Sequence, residues 1–291
     1  LTDIDRAMRW GFNWELGPFE MWDALGLRSV AERMEQEGDV VPDWVSGWIA
    51  AGNESFYVRK EPHLFYYSSG RYKSLPESVE CISLARLKER GKQIFGNNGA
   101  SLVDLGDGVA CLELHSAYMA IGPDVLSMIG QSLDEVSRHY IGLVVASDSG
   151  RFCTGMNLSL LLTDARNGNW EKLNGFIRLY QNTMMSLKYF AKPVVAAPNG
   201  MTLGGGVEMC MAAEAACAAV ETYCGLTEPG VGLIPAGGGC KETALRAGLA
   251  TAVPGADIQP MLSKAFETIV TARVSASAFD AKRLGLLRES D

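Results

Sequence analysis

The sequence predicts an α/β domain preceded by a mainly α-helical segment. Three observations carry this. Before residues 91–100 the apolar residues recur at helical spacing between glycine and proline boundaries. After that point short apolar runs alternate with amphipathic stretches, the β-then-α order of an α/β domain. One of those runs, Ile141–Ala146, is continuously apolar, as in a strand buried on both faces.

The helical segment opens with Ile4-Asp5-Arg6-Ala7-Met8-Arg9-Trp10-Gly11, amphipathic and ended by glycine. Gly17–Gly26 follows, with Pro18 at a helix start and Gly26 at its stop. Ser29–Glu37 is a third helix, and Pro42 starts a fourth. Within residues 55–75, Phe56-Tyr57-Val58 and Leu64-Phe65-Tyr66-Tyr67 flank a turn, as in a hairpin. Pro76–Gly91 suggests a further short helix, and Gly96-Asn97-Asn98-Gly99 reads as a linker.

Beyond it, Ala100–Leu105 and Val109–Leu114 are strands joined by the tight turn Gly106-Asp107-Gly108. Asp124–Arg138 is a helix with an apolar stripe, followed by the buried strand Ile141–Ala146. Trp170–Tyr189 is a long helix that ends before Lys192-Pro193. Val194–Ala197 is a short strand and Val207–Ala213 a helix, then Ala216–Val220 a strand and Lys241–Ala247 a helix. Neither heptads nor short internal repeats occur.

Composition bounds the function. At 291 residues the chain holds one large domain or two of ordinary size. With 47% hydrophobic and 21% charged residues it can bury a sizeable core. A net charge of −8 argues against a nucleic-acid surface. No apolar run is long enough to span a bilayer. The start at Leu1 shows no signal-peptide pattern, and both ends read as cuts within a longer chain. Seven cysteines, an odd number without a CxxC pair, fit buried reduced thiols in a cytoplasmic protein. His63, His115 and His139 are not spaced with one another, or with cysteine, as a metal site requires.

The chemistry concentrates in two glycine-rich segments. In Leu203-Gly204-Gly205-Gly206-Val207-Glu208 the glycines let a ligand approach the backbone, and a helix starting there offers free N–H groups. Glu208 falls in its first turn, where the plain alternative is an acid that stabilises a helix N-terminus. Gly150–Leu158, containing Met156, follows the buried strand and is a second place to present an N–H, or an ordinary loop with Met156 as core filler. Glu228 follows an apolar stretch, so burial would raise its pKa as a proton donor requires. The alternative is a loop acid capping a helix. Gly237-Gly238-Gly239 lacks the Lys-Ser/Thr of a nucleotide loop and reads as a helix N-terminus packed close to its neighbours. Two carboxylates beside exposed N–H groups suffice to add water across a polarised double bond.

In order and spacing, these segments together resemble the crotonase (enoyl-CoA hydratase/isomerase) superfamily over residues 100–291. The matching pieces are Phe152–Leu158, Lys192–Gly200, Leu203–Glu208, Glu228 with Gly232-Leu233-Ile234-Pro235, and the tail Ser275–Leu287. The resemblance implies a crotonase-like spiral of ββα units. It implies that the N–H groups of Met156 and Gly205 form the oxyanion hole, and that Glu208 and Glu228 are the acid/base pair. Keeping both glutamates points to hydration of an enoyl-CoA thioester, which uses no cofactor or metal. A 3-enoyl to 2-enoyl isomerase and a non-catalytic acyl-CoA-binding assembly module are the alternatives. Asn157 stands where many members carry Asp, and the chain stops before the family's C-terminal helices. By analogy the protein is a homo-oligomer.

The N-terminal Gly11-Phe12-Asn13-Trp14 and Gly17-Pro18-Phe19-Glu20 resemble the helical C-terminal domain of 3-hydroxyacyl-CoA dehydrogenases. No G-x-G-x-x-G follows a strand, so NAD would belong to a dehydrogenase portion outside this chain. The expected division is therefore residues 1–95, a remnant of that helical domain, and residues 96–291, the hydratase domain.

Overall fold

The computed structural model describes residues 1–60, 63–75, 82–250 and 255–291. The chain divides into two compact units, Leu1–Ile82 and Ser83–Asp291. That boundary precedes the expected one for a local reason. Gly96–Gly99 is not a linker but a hairpin turn, in which the Asn97 side chain accepts from the N–H groups of Gly99 and Ala100. The turn pairs strand Gln93–Gly96 antiparallel with Ala100–Gly106.

Among its described residues the first unit has four helices, Thr2–Phe12, Pro18–Leu25, Leu27–Glu37 and Asp43–Ala50, close to the sequence reading. An antiparallel sheet of Tyr57–Lys60, His63–Ser68 and Arg71–Ser74 follows. Pro18 starts its helix as expected, and the Glu20 carboxylate reaches back to the Gly17 N–H at 2.8 Å. Phe56 is fully buried among Phe19, Trp22 and Trp44. Buried Asp5 accepts from the Phe19 N–H at 2.8 Å and the Tyr57 hydroxyl at 2.5 Å. Residues 76–81 of the helix expected over Pro76–Gly91 lie outside the described residues; the helix itself is Leu84–Glu89 and belongs to the second unit.

Among the described residues, the second unit winds between a six-stranded and a three-stranded sheet, beside a two-stranded pairing of Ala120–Ile121 with Gly155–Met156. The larger has the order Ala215–Ala216, Val194–Ala196, Gly142–Ala146, Val109–Leu114, Ala100–Gly106, Gln93–Gly96. The first four strands run parallel and the last two antiparallel. The smaller sheet is parallel, in the order Thr222–Gly225, Gly200–Leu203, Arg151–Cys153. Each of three turns of chain lays one strand in the larger sheet, the next in the smaller, and then helical structure. Gly142–Ala146 leads to Arg151–Cys153, Val194–Ala196 to Gly200–Leu203, and Ala215–Ala216 to Thr222–Gly225. This is the expected spiral of ββα units.

The core lies between these layers. Helix Pro123–His139 buries Val125, Met128, Ile129, Leu133 and Val136, the i, i+3, i+4 stripe of an amphipathic helix. The strand expected over Ala216–Val220 is corrected: the strands here are Ala215–Ala216 and Thr222–Gly225, and residues 217–221 lie in neither. Ala215–Ala216 can pair only as far as the short strand Val194–Ala196 extends. The chain then crosses to the smaller sheet, where Cys224 pairs with Thr202. Helix Gln259–Val270 was not anticipated from the sequence.

Candidate active site

The site is built where the smaller sheet hands over to helices. After strand Arg151–Cys153 the backbone turns at Gly155, whose φ of 94° disfavours any side chain. On either side the Thr154 N–H donates to the Met119 carbonyl and the Asn157 N–H to the Ile121 carbonyl. Met156 is held between these anchored amides. The Asn157 side chain caps helix Leu158–Arg166 by accepting from the Ser159 N–H at 3.2 Å.

Helix Gly205–Ala212 begins opposite. The Gly204 N–H is taken by the Gly225 carbonyl at 2.7 Å. Gly205 follows as the first helical residue, where an N–H has no intrahelical acceptor. A Cβ on Gly155 would lie 3.2 Å from the Gly205 nitrogen. Met156 and Gly205 therefore line one cavity of about 260 Å³, together with Tyr180, Glu208 and Glu228. All four residues singled out from the sequence are brought together.

The two carboxylates have different surroundings. Glu208 is buried in the first turn of its helix. Its Oε2 accepts from the Tyr180 hydroxyl at 2.8 Å and its Oε1 from the Gly239 N–H at 2.9 Å. The run Gly237-Gly238-Gly239 does start a helix, Gly239–Ala250, and its N–H groups serve a side chain of the protein itself. Burial pushes the Glu208 carboxyl up, and the Gly239, Tyr180, Gly237 and Gly238 donors pull it partly back. Glu228 opens the short 3₁₀ turn Glu228–Val231. Its Oε2 is buried without a hydrogen-bond partner. Burial, reinforced by the charge of Glu208, pushes the Glu228 carboxyl up to about 7.

Tyr180 was missed in the sequence, although a signal was present. In helix Trp170–Lys188 it shares the buried stripe with Thr183, Met184 and Leu187. A tyrosine placed in such a stripe needs an acceptor for its hydroxyl.

An apolar extension continues from the site. A second cavity of about 510 Å³ shares Leu158, Leu161, Ile177, Val231 and Leu233 with the first and reaches Trp170. No described histidine or cysteine lines the cavity that holds Glu208 and Glu228. His115 Nε2 pairs with the Ser101 hydroxyl at 2.8 Å, and His139 ends a helix. Burial pushes the Cys111, Cys153 and Cys224 thiols up to about 12. Cys81 lies outside the described residues. Among the described residues no cluster of three or more His, Cys, Asp or Glu could hold a metal, and no helix is long and apolar enough to cross a membrane.

Residues 106–287 match the family model for enoyl-CoA hydratase/isomerase. The chain belongs to the enoyl-CoA hydratase/isomerase family. An enoyl-CoA hydratase from Bacillus anthracis is 26% identical, with a TM-score of 0.53 over 66% of this chain and 69% of that one. The probable 3-hydroxyacyl-CoA dehydrogenase of Bacillus subtilis (strain 168) is 49% identical over 99% of this chain and 36% of its own length. A putative fatty acid oxidation complex trifunctional enzyme of Rickettsia felis is 25% identical over 85% of this chain and 31% of its own length. This enoyl-CoA hydratase/isomerase chain thus spans about a third of these curated relatives.

Proposed function

We propose that the second unit adds water to a trans-2-enoyl-CoA thioester to give the 3-hydroxyacyl-CoA. The observation that carries this is the pair Glu208 and Glu228, two carboxylates with unlike surroundings on one apolar cavity. The thioester oxygen lies between the N–H groups of Met156 and Gly205, where the enolate charge collects. Glu208 accepts a proton from the water whose oxygen bonds to C3. Glu228 holds that water and delivers a proton to C2, and the proton taken by Glu208 returns to Glu228 through solvent. No cofactor takes part. The acyl tail extends past Leu161 and Ile177 toward Trp170.

The unpartnered Oε2 of Glu228 favours a second reading, in which Glu228 alone shuttles a proton between C4 and C2 of a 3-enoyl thioester. Glu208→Gln separates the two. Under the first reading it abolishes the loss of enoyl absorbance with crotonyl-CoA; under the second, isomerisation of a 3-enoyl-CoA survives and crotonyl-CoA is never a substrate. An assembly module would bind acyl-CoA without either turnover.

The first unit is proposed to be the end of the helical domain of a 3-hydroxyacyl-CoA dehydrogenase, the activity named for the Bacillus subtilis relative. The whole protein would then hydrate the double bond and oxidise the resulting alcohol with NAD, in β-oxidation in the cytoplasm and as a homo-oligomer. The test is NADH formation from crotonyl-CoA by the full-length protein.

A further inference from the structure

Tyr180 connects the two halves of the site. It is fully buried on helix Trp170–Lys188, and its hydroxyl donates to Glu208 Oε2 at 2.8 Å. That hydroxyl lies so close to Gly205 that a Cβ there would be 2.3 Å from it, and a Cβ on Gly237 would be 1.8 Å from the ring. The absence of side chains on both glycines makes room for this one phenol. The Oε1 side of Glu208 is meanwhile fixed by the Gly239 N–H. With a donor on each oxygen the carboxylate plane has one orientation. Of these donors only Tyr180 belongs to a side chain; the others are backbone amides.

We propose that Tyr180 is a positioning residue, whose hydroxyl keeps the Glu208 carboxylate ionised and turned toward the water that adds to C3. This rests on the hydration reading above. A hydrogen bond from a neutral donor to a charged acceptor favours the ionised form. The other titratable groups around the pair are Glu228 from the 3₁₀ turn, Cys153 from strand Arg151–Cys153 and Cys240 from helix Gly239–Ala250. Of these, Glu228 titrates nearest neutrality, so the two carboxylates are followed as a coupled pair.

The experiment is Tyr180→Phe in this chain, read with crotonyl-CoA across pH and by infrared titration of the free protein, with Glu208→Gln assigning the Glu208 carboxyl band. The expected result is a kcat about 10- to 100-fold lower, the range for one hydrogen bond to a charged group, with KM little changed. The acid limb and the Glu208 band should both move to higher pH. A variant with 3-fluorotyrosine at position 180, a stronger donor of nearly the same shape, should move both to lower pH even where the phenylalanine variant fails to fold. An unmoved Glu208 band in either folded variant overturns the proposal, as does an acid limb shared with wild type. Should the wild-type chain hydrate nothing, the hydration reading fails by itself, and the infrared titration still decides whether Tyr180 governs Glu208.

Discussion

Gly237 leaves no room for a side chain beside Tyr180: a Cβ there would lie 1.8 Å from Tyr180 Cε1 and 2.3 Å from Glu208 Oε2. The glycine run after the 3₁₀ turn thus packs against Tyr180 and Glu208. Gly237→Ala must push the phenol or the carboxylate out of place. Overpacking of this kind costs about 1–3 kcal/mol, so the melting temperature should fall and hydration should fall with it. Gly130 is the contrast. It lies inside helix Pro123–His139, with open space where its Cβ would be. Gly130→Ala should stabilise by about 0.5–1 kcal/mol through helix propensity alone. Thermal melts of the two variants should move in opposite directions.

Glu228 contributes a pH dependence near neutrality. Its carboxyl is raised to about 7 in the folded chain, from an ordinary value of 4.5. Between those values the folded state holds a proton that the unfolded state has lost. Stability contributed there is present below 4.5 and declines as pH rises through 7. Glu228→Gln does not titrate, so its melting temperature should gain on wild type between pH 4 and pH 8. Under the hydration reading, wild-type turnover should fall on an alkaline limb near 7 as Glu228 loses its proton. A flat melting difference across that range would place Glu228 in solvent.

Glycine runs and isolated acids in apolar stretches marked Glu208, Glu228, Met156 and Gly205 only weakly one by one; their order and spacing, through the resemblance to the crotonase superfamily, singled them out. The partners of Glu208 were not legible in this way. Tyr180 and Gly239 lie 28 and 31 residues away, and only the winding of the spiral brings them together. Gly237–Gly239 could be read as a helix start, but not as the cradle of another helix's carboxylate. Likewise the strand expected over Ala216–Val220 holds only Ala216 of the observed strands, and Thr222–Gly225 was not foreseen, because an alanine-rich run carries no mark of where it leaves one sheet for the other. The hairpin turn at Asn97 read as a linker because glycine and asparagine serve both purposes.

The apolar extension predicts a preference for longer acyl chains. Leu161 and Ile177 line both cavities and so form the passage between them. Each methylene buried there contributes about 0.8 kcal/mol, roughly a fourfold gain in kcat/KM. The gain should continue from crotonyl-CoA upward until the tail reaches Trp170. Ile177→Trp should cut activity on decenoyl-CoA while leaving crotonyl-CoA little affected. Equal losses on both substrates would mean that the tail runs elsewhere.

The first unit offers a separate optical readout. Five of the six tryptophans, Trp10, Trp14, Trp22, Trp44 and Trp48, lie within Leu1–Ile82. Tryptophan emission therefore follows that unit, while enoyl-CoA turnover follows the other. Phe56 is the centre of its core, with ring centroids of Phe19, Trp22 and Trp44 at 5.2, 5.5 and 5.6 Å. Its backbone N–H is also fixed, donating to Asp23 Oδ1 at 2.7 Å. Phe56→Ala removes the ring but keeps that bond, so its effect isolates packing. Truncating a buried phenylalanine costs about 3–5 kcal/mol, and for a domain this small each kcal/mol moves the midpoint by about 4–8 °C. The emission transition should therefore fall by at least about 12 °C. An unchanged midpoint would remove Phe56 from the centre of this core and leave Leu27, Val45 and Trp48 to hold it.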